Sequence, residues 1–71
     1  MKEIATYMGG AGKYIAAVYE GDDGGVTFYK VNYGTFSNPY SFSKVFMSEE
    51  SASNFAAEYI SKGSEPTLLN E

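Results

Sequence analysis

Between two runs of β-prone residues lies Gly21-Asp22-Asp23-Gly24-Gly25, a stretch that accepts positive backbone φ and breaks regular structure. Such a break between alternating side chains folds the chain back on itself as an antiparallel hairpin. The run before it, Lys13 to Glu20, alternates Tyr14, Ala16 and Val18 with Ile15, Ala17 and Tyr19. The run after it, Val26 to Tyr33, alternates Val26, Phe28 and Lys30 with Thr27, Tyr29, Val31 and Tyr33. Apolar residues fall on both faces of each run, so the alternation leaves open which side meets the core.

The remaining elements follow from the same punctuation. A first strand over Lys2 to Met8 ends at Gly9-Gly10-Ala11-Gly12. Gly34 to Pro39 reads as a loop, and a fourth strand restarts near Tyr40 with Tyr40, Phe42 and Phe46 turned inward. On that strand the Lys44 stem is expected along the core edge with its ammonium in water. Ser48 then caps a helix whose first turn holds Glu49 and Glu50, where the helix dipole favours negative charge, and Gly63 stops it after Lys62. Ala52, Phe55, Ala56, Tyr59 and Ile60 recur at helical spacing and form the stripe that covers the sheet. Glu50, Asn54, Ala57, Glu58 and Ser61 are left outside. The expectation is an α+β fold: a four-stranded antiparallel β-sheet with one C-terminal helix packed on one face. It is a single β-β-β-β-α domain over residues 1–63, followed by a polar tail over 64–71. In that tail Leu68 and Leu69 either fray with the terminus or dock on the sheet or on a second subunit.

Composition narrows the function. The 71-residue chain holds neither cysteine nor histidine, which removes disulfides, the readiest nucleophile, the usual proton carrier near neutral pH and most transition-metal ligands. Binding is expected rather than catalysis, with no cofactor and no metal. A core of this size supplies about 3–5 kcal/mol, so a homodimer or a tight partner would add needed stability. Seven tyrosines and five phenylalanines exceed what one sheet-and-helix interface needs, which puts some of them on the surface. The net charge of −4 repels a phosphate backbone and attracts a basic protein surface, although it also serves solubility alone. Direct nucleic-acid binding is therefore disfavoured. The first residues lack the apolar stretch of a secretory signal and no segment reaches membrane-spanning length, so a cytoplasmic protein without membrane contact is expected.

Two loops invite a chemical reading and fail it. Gly9-Gly10-Ala11-Gly12-Lys13 resembles a phosphate-binding loop, but Tyr7 stands where the first glycine belongs, Tyr14 follows the lysine, and a strand follows in place of a helix. Glu20, Asp22 and Asp23 make an acidic tip without the alternating ligands and closing glutamate of a calcium loop. Tyrosine is the more informative residue. Tyr19, Tyr29 and Tyr33 are expected in one register on neighbouring strands, as an aromatic patch beside Glu20, Asp22 and Asp23. The competing reading is a cross-strand ladder or a core position. Tyrosine buries large area at low entropic cost and keeps a hydroxyl for hydrogen bonding, which suits an interface.

Tyr14-Ile15-Ala16-Ala17-Val18-Tyr19-Glu20, followed by a glycine turn, a further strand and a phenylalanine-rich strand leading into Ser48-Glu49-Glu50, resembles the layout of small phage-encoded anti-CRISPR proteins. It is similar to a compact sheet-plus-helix type that acts on type I surveillance complexes. The resemblance implies a non-enzymatic inhibitor that sets tyrosines and carboxylates against a basic, nucleic-acid-binding surface of a CRISPR protein. Tyr19, Glu20, Asp22, Asp23, Tyr29 and Tyr33 are the expected contact residues. The alternative is a small self-assembling structural or adaptor protein that forms a homodimer through exposed aromatics.

Overall fold

The computed structural model describes residues 1–63; the segment containing Leu68 and Leu69 lies outside the described residues. The chain forms β1 (Lys2–Gly9), β2 (Tyr14–Asp23), β3 (Val26–Thr35), β4 (Phe42–Phe46) and α1 (Glu49–Lys62). All neighbouring strands are antiparallel, and their spatial order β1-β2-β3-β4 is the order of the chain. This is the four-stranded antiparallel sheet with one helix packed against it that the residue pattern calls for.

The hairpin turn is shorter than the glycine-rich stretch. Asp22 and Asp23 continue β2, Asp23 pairs with Val26, and only Gly24 and Gly25 make the reversal. Their φ values of 60° and 86° are those of a type I′ turn, whose twist matches the strands it joins. The consequence for the faces is decisive. With Glu20 ending the strand, odd-numbered residues of β2 would share a face with odd-numbered residues of β3. With the turn at Gly24-Gly25, Tyr19 instead pairs with Lys30, Glu20 with Tyr29, Val18 with Val31, and Ala16 with Tyr33.

The helix therefore covers Tyr14, Ala16 and Val18 of β2 together with Tyr29, Val31 and Tyr33 of β3. Ala16, Val18, Val31, Tyr33, Ala52, Phe55, Ala56 and Tyr59 form the buried cluster. The alanines let the helix lie close to the strands, and aromatic rings fill the flanks. Tyr33 sits at the centre of these rings, with its centroid 5.0 Å from that of Phe55 and 4.8 Å from that of Tyr59, both edge-on. Edge-on pairs at these spacings add to what area burial alone supplies. Phe46 packs on Phe55 at 5.3 Å, and Lys44 places its Nζ 5.7 Å from the Phe55 centroid. A bulge between Glu3 and Ala5 shifts the β1 register, and both Ile4 and Ala5 pack against the core.

The helix ends are built as their residues imply. The Ser51 N–H donates to the Ser48 hydroxyl at 3.1 Å, and the Gly63 N–H donates to the Tyr59 carbonyl at 2.7 Å. Gly63 adopts φ 74°, and a Cβ there would lie 2.5 Å from the Tyr14 ring. At the other side Gly9 meets the helix, since a Cβ would lie 2.7 Å from the Ile60 carbonyl oxygen. The fourth strand begins later than the residue pattern suggests. Tyr40 has φ 57° and is exposed in the bend before β4, not inward-facing. Phe42 stacks on Tyr33 at 5.6 Å yet stays more than half exposed. A backbone bend at residues 38–41 crosses close over Gly34 and accounts for the delay.

Tyr33 and Tyr19 should separate sharply in a stability experiment. Tyr33→Ala removes a buried ring and is expected to cost about 3–5 kcal/mol, comparable to the roughly 3–5 kcal/mol a core of this size supplies. Far-ultraviolet circular dichroism with urea titration should find Tyr33→Ala unfolded and Tyr19→Ala folded at 25 °C.

Candidate functional site

One sheet face carries the helix, and the other has no second layer among the described residues. The open face presents Thr6 and Met8 from β1, Ile15, Ala17 and Tyr19 from β2, Phe28, Lys30 and Asn32 from β3, and Ser43 and Val45 from β4. The 38–41 bend lies over Gly34 at one end of this face. The opposite end stays bare. There Val26, Phe28, Val45 and Met47, with Asp23, line an open depression of about 480 Å³. The outer end of the Phe28 ring occupies the space that a side chain at Gly21 would fill.

Charge gathers at this same end. The helix of fourteen residues spans about 21 Å, while the ten-residue strands β2 and β3 span about 33 Å. The hairpin tip therefore projects past the start of the helix. Asp22 and Asp23 occupy that projection with Glu20 and Glu3 just behind them, and Glu49 and Glu50 form the first turn of the helix. Among the described residues only one other carboxylate exists, that of Glu58, and Lys62 pairs with it at 3.3 Å. Lys2, opposite Glu20, and Lys30, in the row of Glu3 and Tyr19, are the lysines nearest the acidic end; Lys44 lies opposite Val31, and Lys13 and Lys62 lie at the far end. The sheet is polarised along its strands.

The expected contact residues divide accordingly. Tyr19 is half-buried on the open face, while Tyr29 and Tyr33 lie on the helix side, so the three do not form one aromatic patch. Tyr33 belongs to the core at 3% exposure and is not a surface contact. The physical reason is the two-residue turn, which changes the parity of pairing across the hairpin. Tyr29 is half-buried between Glu20 and Phe46 on the neighbouring strands. Glu20 and Asp22 lie on the helix side of the projecting tip, and Asp23 sits beside the apolar depression. Residue reading missed Phe28, Val45 and Met47 as site members. Their alternation was visible, but their company with Tyr19 follows only from the turn length.

Comparisons with protein-family models, curated proteins and solved structures find no match to this chain.

The Tyr19 phenol departs clearly from the ordinary in its ionisation. Partial burial, the Glu3 carboxylate and the like charge of an ionised Tyr40 all disfavour its charged form and push its pKa up. Glu3 is held in place by the Thr6 hydroxyl, which donates to it. At neutral pH Tyr19 is thus a neutral donor beside a carboxylate-rich surface. No helix among the described residues is long and apolar enough to cross a membrane, and no cluster of three or more metal-ligating side chains occurs among them.

A phenol pKa raised by folding contributes stability that is complete below the unfolded value and is lost as pH rises through the folded one. Thermal unfolding across the alkaline range should therefore show a loss in the native protein that Tyr19→Phe reduces, with the two curves parallel below the ordinary tyrosine range.

Proposed function

We propose that this chain is a non-enzymatic protein-binding domain that inhibits its partner by occupying a basic, nucleic-acid-binding surface, such as that of a CRISPR effector complex. The observation that carries the reading is the coincidence of an apolar depression and a carboxylate-rich hairpin tip at one end of the uncovered sheet face. Apolar side chains beside a carboxylate-rich tip suit a surface of arginine and lysine. The aliphatic stems and guanidinium planes of such a surface can lie on Phe28 and Tyr19 while their charges meet Asp22, Asp23, Glu20 and Glu3. Tyr29 would contribute only its exposed rim.

The resemblance of the Tyr14–Glu20 stretch to anti-CRISPR proteins supports the choice of partner class, and a cytoplasmic location would go with it. The net charge of −4 argues against the chain touching nucleic acid itself. Occupying a nucleic-acid site needs no catalysis, only affinity and a matching field.

The test is a tagged pull-down from host lysate at low and moderate salt, followed by binding measurements with the protein recovered. A CRISPR effector or another nucleic-acid-binding complex should be recovered. Phe28→Ala should weaken its binding by roughly 30-fold, as for a hot-spot aromatic. Asp22→Asn with Asp23→Asn should slow association by about tenfold at low salt and less at moderate salt, because screening shortens the reach of exposed charges. An acidic partner, or binding untouched by all three substitutions, would overturn the reading.

A further inference from the structure

The two edges of the sheet are not equivalent. The β1 edge is interrupted by the bulge between Glu3 and Ala5 and begins with the charged pair Lys2-Glu3, both of which discourage the addition of another strand. The β4 edge has neither defence. Its five residues pair with β3 without a break, and its outer N–H and C=O groups face no further strand among the described residues. Its one charge, on Lys44, is drawn back over the Phe55 ring. Phe42 and Val45 on this strand are each 56% exposed and Met47 just beyond it 67%; the β1 edge also exposes Met8, at 63%, but on the strand that carries the bulge and the charged pair. Phe42 lies on the helix side and Val45 on the open side, so an added strand would find apolar neighbours on both faces.

We propose that β4 pairs antiparallel with β4 of a second copy about a two-fold axis through Val45, joining the two sheets into one. In this register Val45 lies opposite its counterpart, Lys44 lies opposite Phe46 of the second copy, and Ser43 lies opposite Met47. Charge selects the axis. Moving it by one residue to Lys44 would set two ammonium groups face to face, a destabilising cross-strand pair. Antiparallel addition also lays the carboxylate-rich end of each copy alongside the other copy's lysine-bearing end. Glu49 and Glu50, just past β4, are thereby carried toward the Tyr40-Ser41 end of the second copy and away from that copy's carboxylates, so like charges are kept apart.

The size of the contact sets its strength. A paired stretch of five residues is about 17 Å long, and the molecule is 16 Å across its thinnest axis, giving a cross-section on the order of 300 Å². That is well below the roughly 800 Å² per partner of a standard stable interface, so the dimer is reversible and concentration-dependent. The axis stands perpendicular to the sheet, which keeps both helices on one side and both open faces on the other. Phe28 and Asp23 remain uncovered, whereas Val45 and Met47 also line the apolar depression; the dimer is read from oligomeric mass and cross-linking, so it stands or falls separately from the basic-partner reading.

Sedimentation velocity from about 1 μM to about 1 mM should show the average mass rising toward twice that of the monomer. Val45→Lys replaces an exposed side chain, should leave the circular dichroism unchanged, and should hold the protein monomeric at every concentration. Because the chain has no cysteine, single cysteines report the register directly. Under mild oxidation Val45→Cys should cross-link to itself, whereas Ser43→Cys should do so at least tenfold less than when mixed with Met47→Cys. A monomer throughout the range would overturn the proposal. So would a Val45→Lys protein that dimerises as the native one does, or Ser43→Cys cross-linking as well alone as in the mixture.

Discussion

Everything in this fold depends on the Gly24-Gly25 reversal. A two-residue turn pairs Asp23 with Val26, and that single register decides which tyrosines enter the core and which stay outside. Both central residues need positive φ, which glycine adopts without the Cβ penalty that other residues meet. If the turn were longer by one residue, every side chain of β3 would exchange faces relative to β2. Val31 and Tyr33 would then leave the helix, and Phe28 with Lys30 would take their place. A lysine under the helix would carry a desolvation cost that a core this small could not offset.

The second constraint is thinness. The helix rests on alanines, so helix and sheet approach closely, and the rings of Tyr14, Tyr33, Phe46, Phe55 and Tyr59 fill the margins of a narrow contact. Val18 and Val31 are the largest side chains that are completely buried. With so little interior, the domain relies on aromatic packing, with Tyr33, Phe55 and Tyr59 buried and Tyr14 and Phe46 half-buried at the rim. Stability and surface chemistry are therefore drawn from the same residue type, and composition alone cannot tell a structural tyrosine from a binding one.

Much of the architecture was legible in the residues. The helix limits followed from Ser48, the acidic first turn and Gly63, each of which acts through local hydrogen bonding or the helix dipole. The strands and their antiparallel succession followed from alternation and glycine breaks. What alternation could not supply was the phase between strands, because Tyr14, Ala16 and Val18 are no more apolar as a set than Ile15, Ala17 and Tyr19. Asp22 and Asp23 looked like turn residues by type, yet extended pairing with Val26 and Thr27 held them in β2. Placing them in the turn is what set Tyr19 beside Tyr29 and Tyr33, and the observed pairing separates them. Tyr40 failed for a different reason, as a positive φ at a non-glycine residue is a tertiary consequence of the bend over Gly34 and has no signature in a single sequence.

The meander order of the strands bears on how quickly the protein reaches this state. Each strand pairs with its immediate neighbour in the chain, and the helix folds back over the strands that precede it. Little of the chain must be searched before a pairing closes, so the entropic barrier to loop closure is low. A hairpin of this kind assembles in about 1–10 μs, and the strands on either side can zip onto it in sequence. A small protein with so narrow a margin of stability thus gains from topology what it lacks in interior: when it opens it can close again rapidly, and its exposed aromatic strands spend little time available to one another.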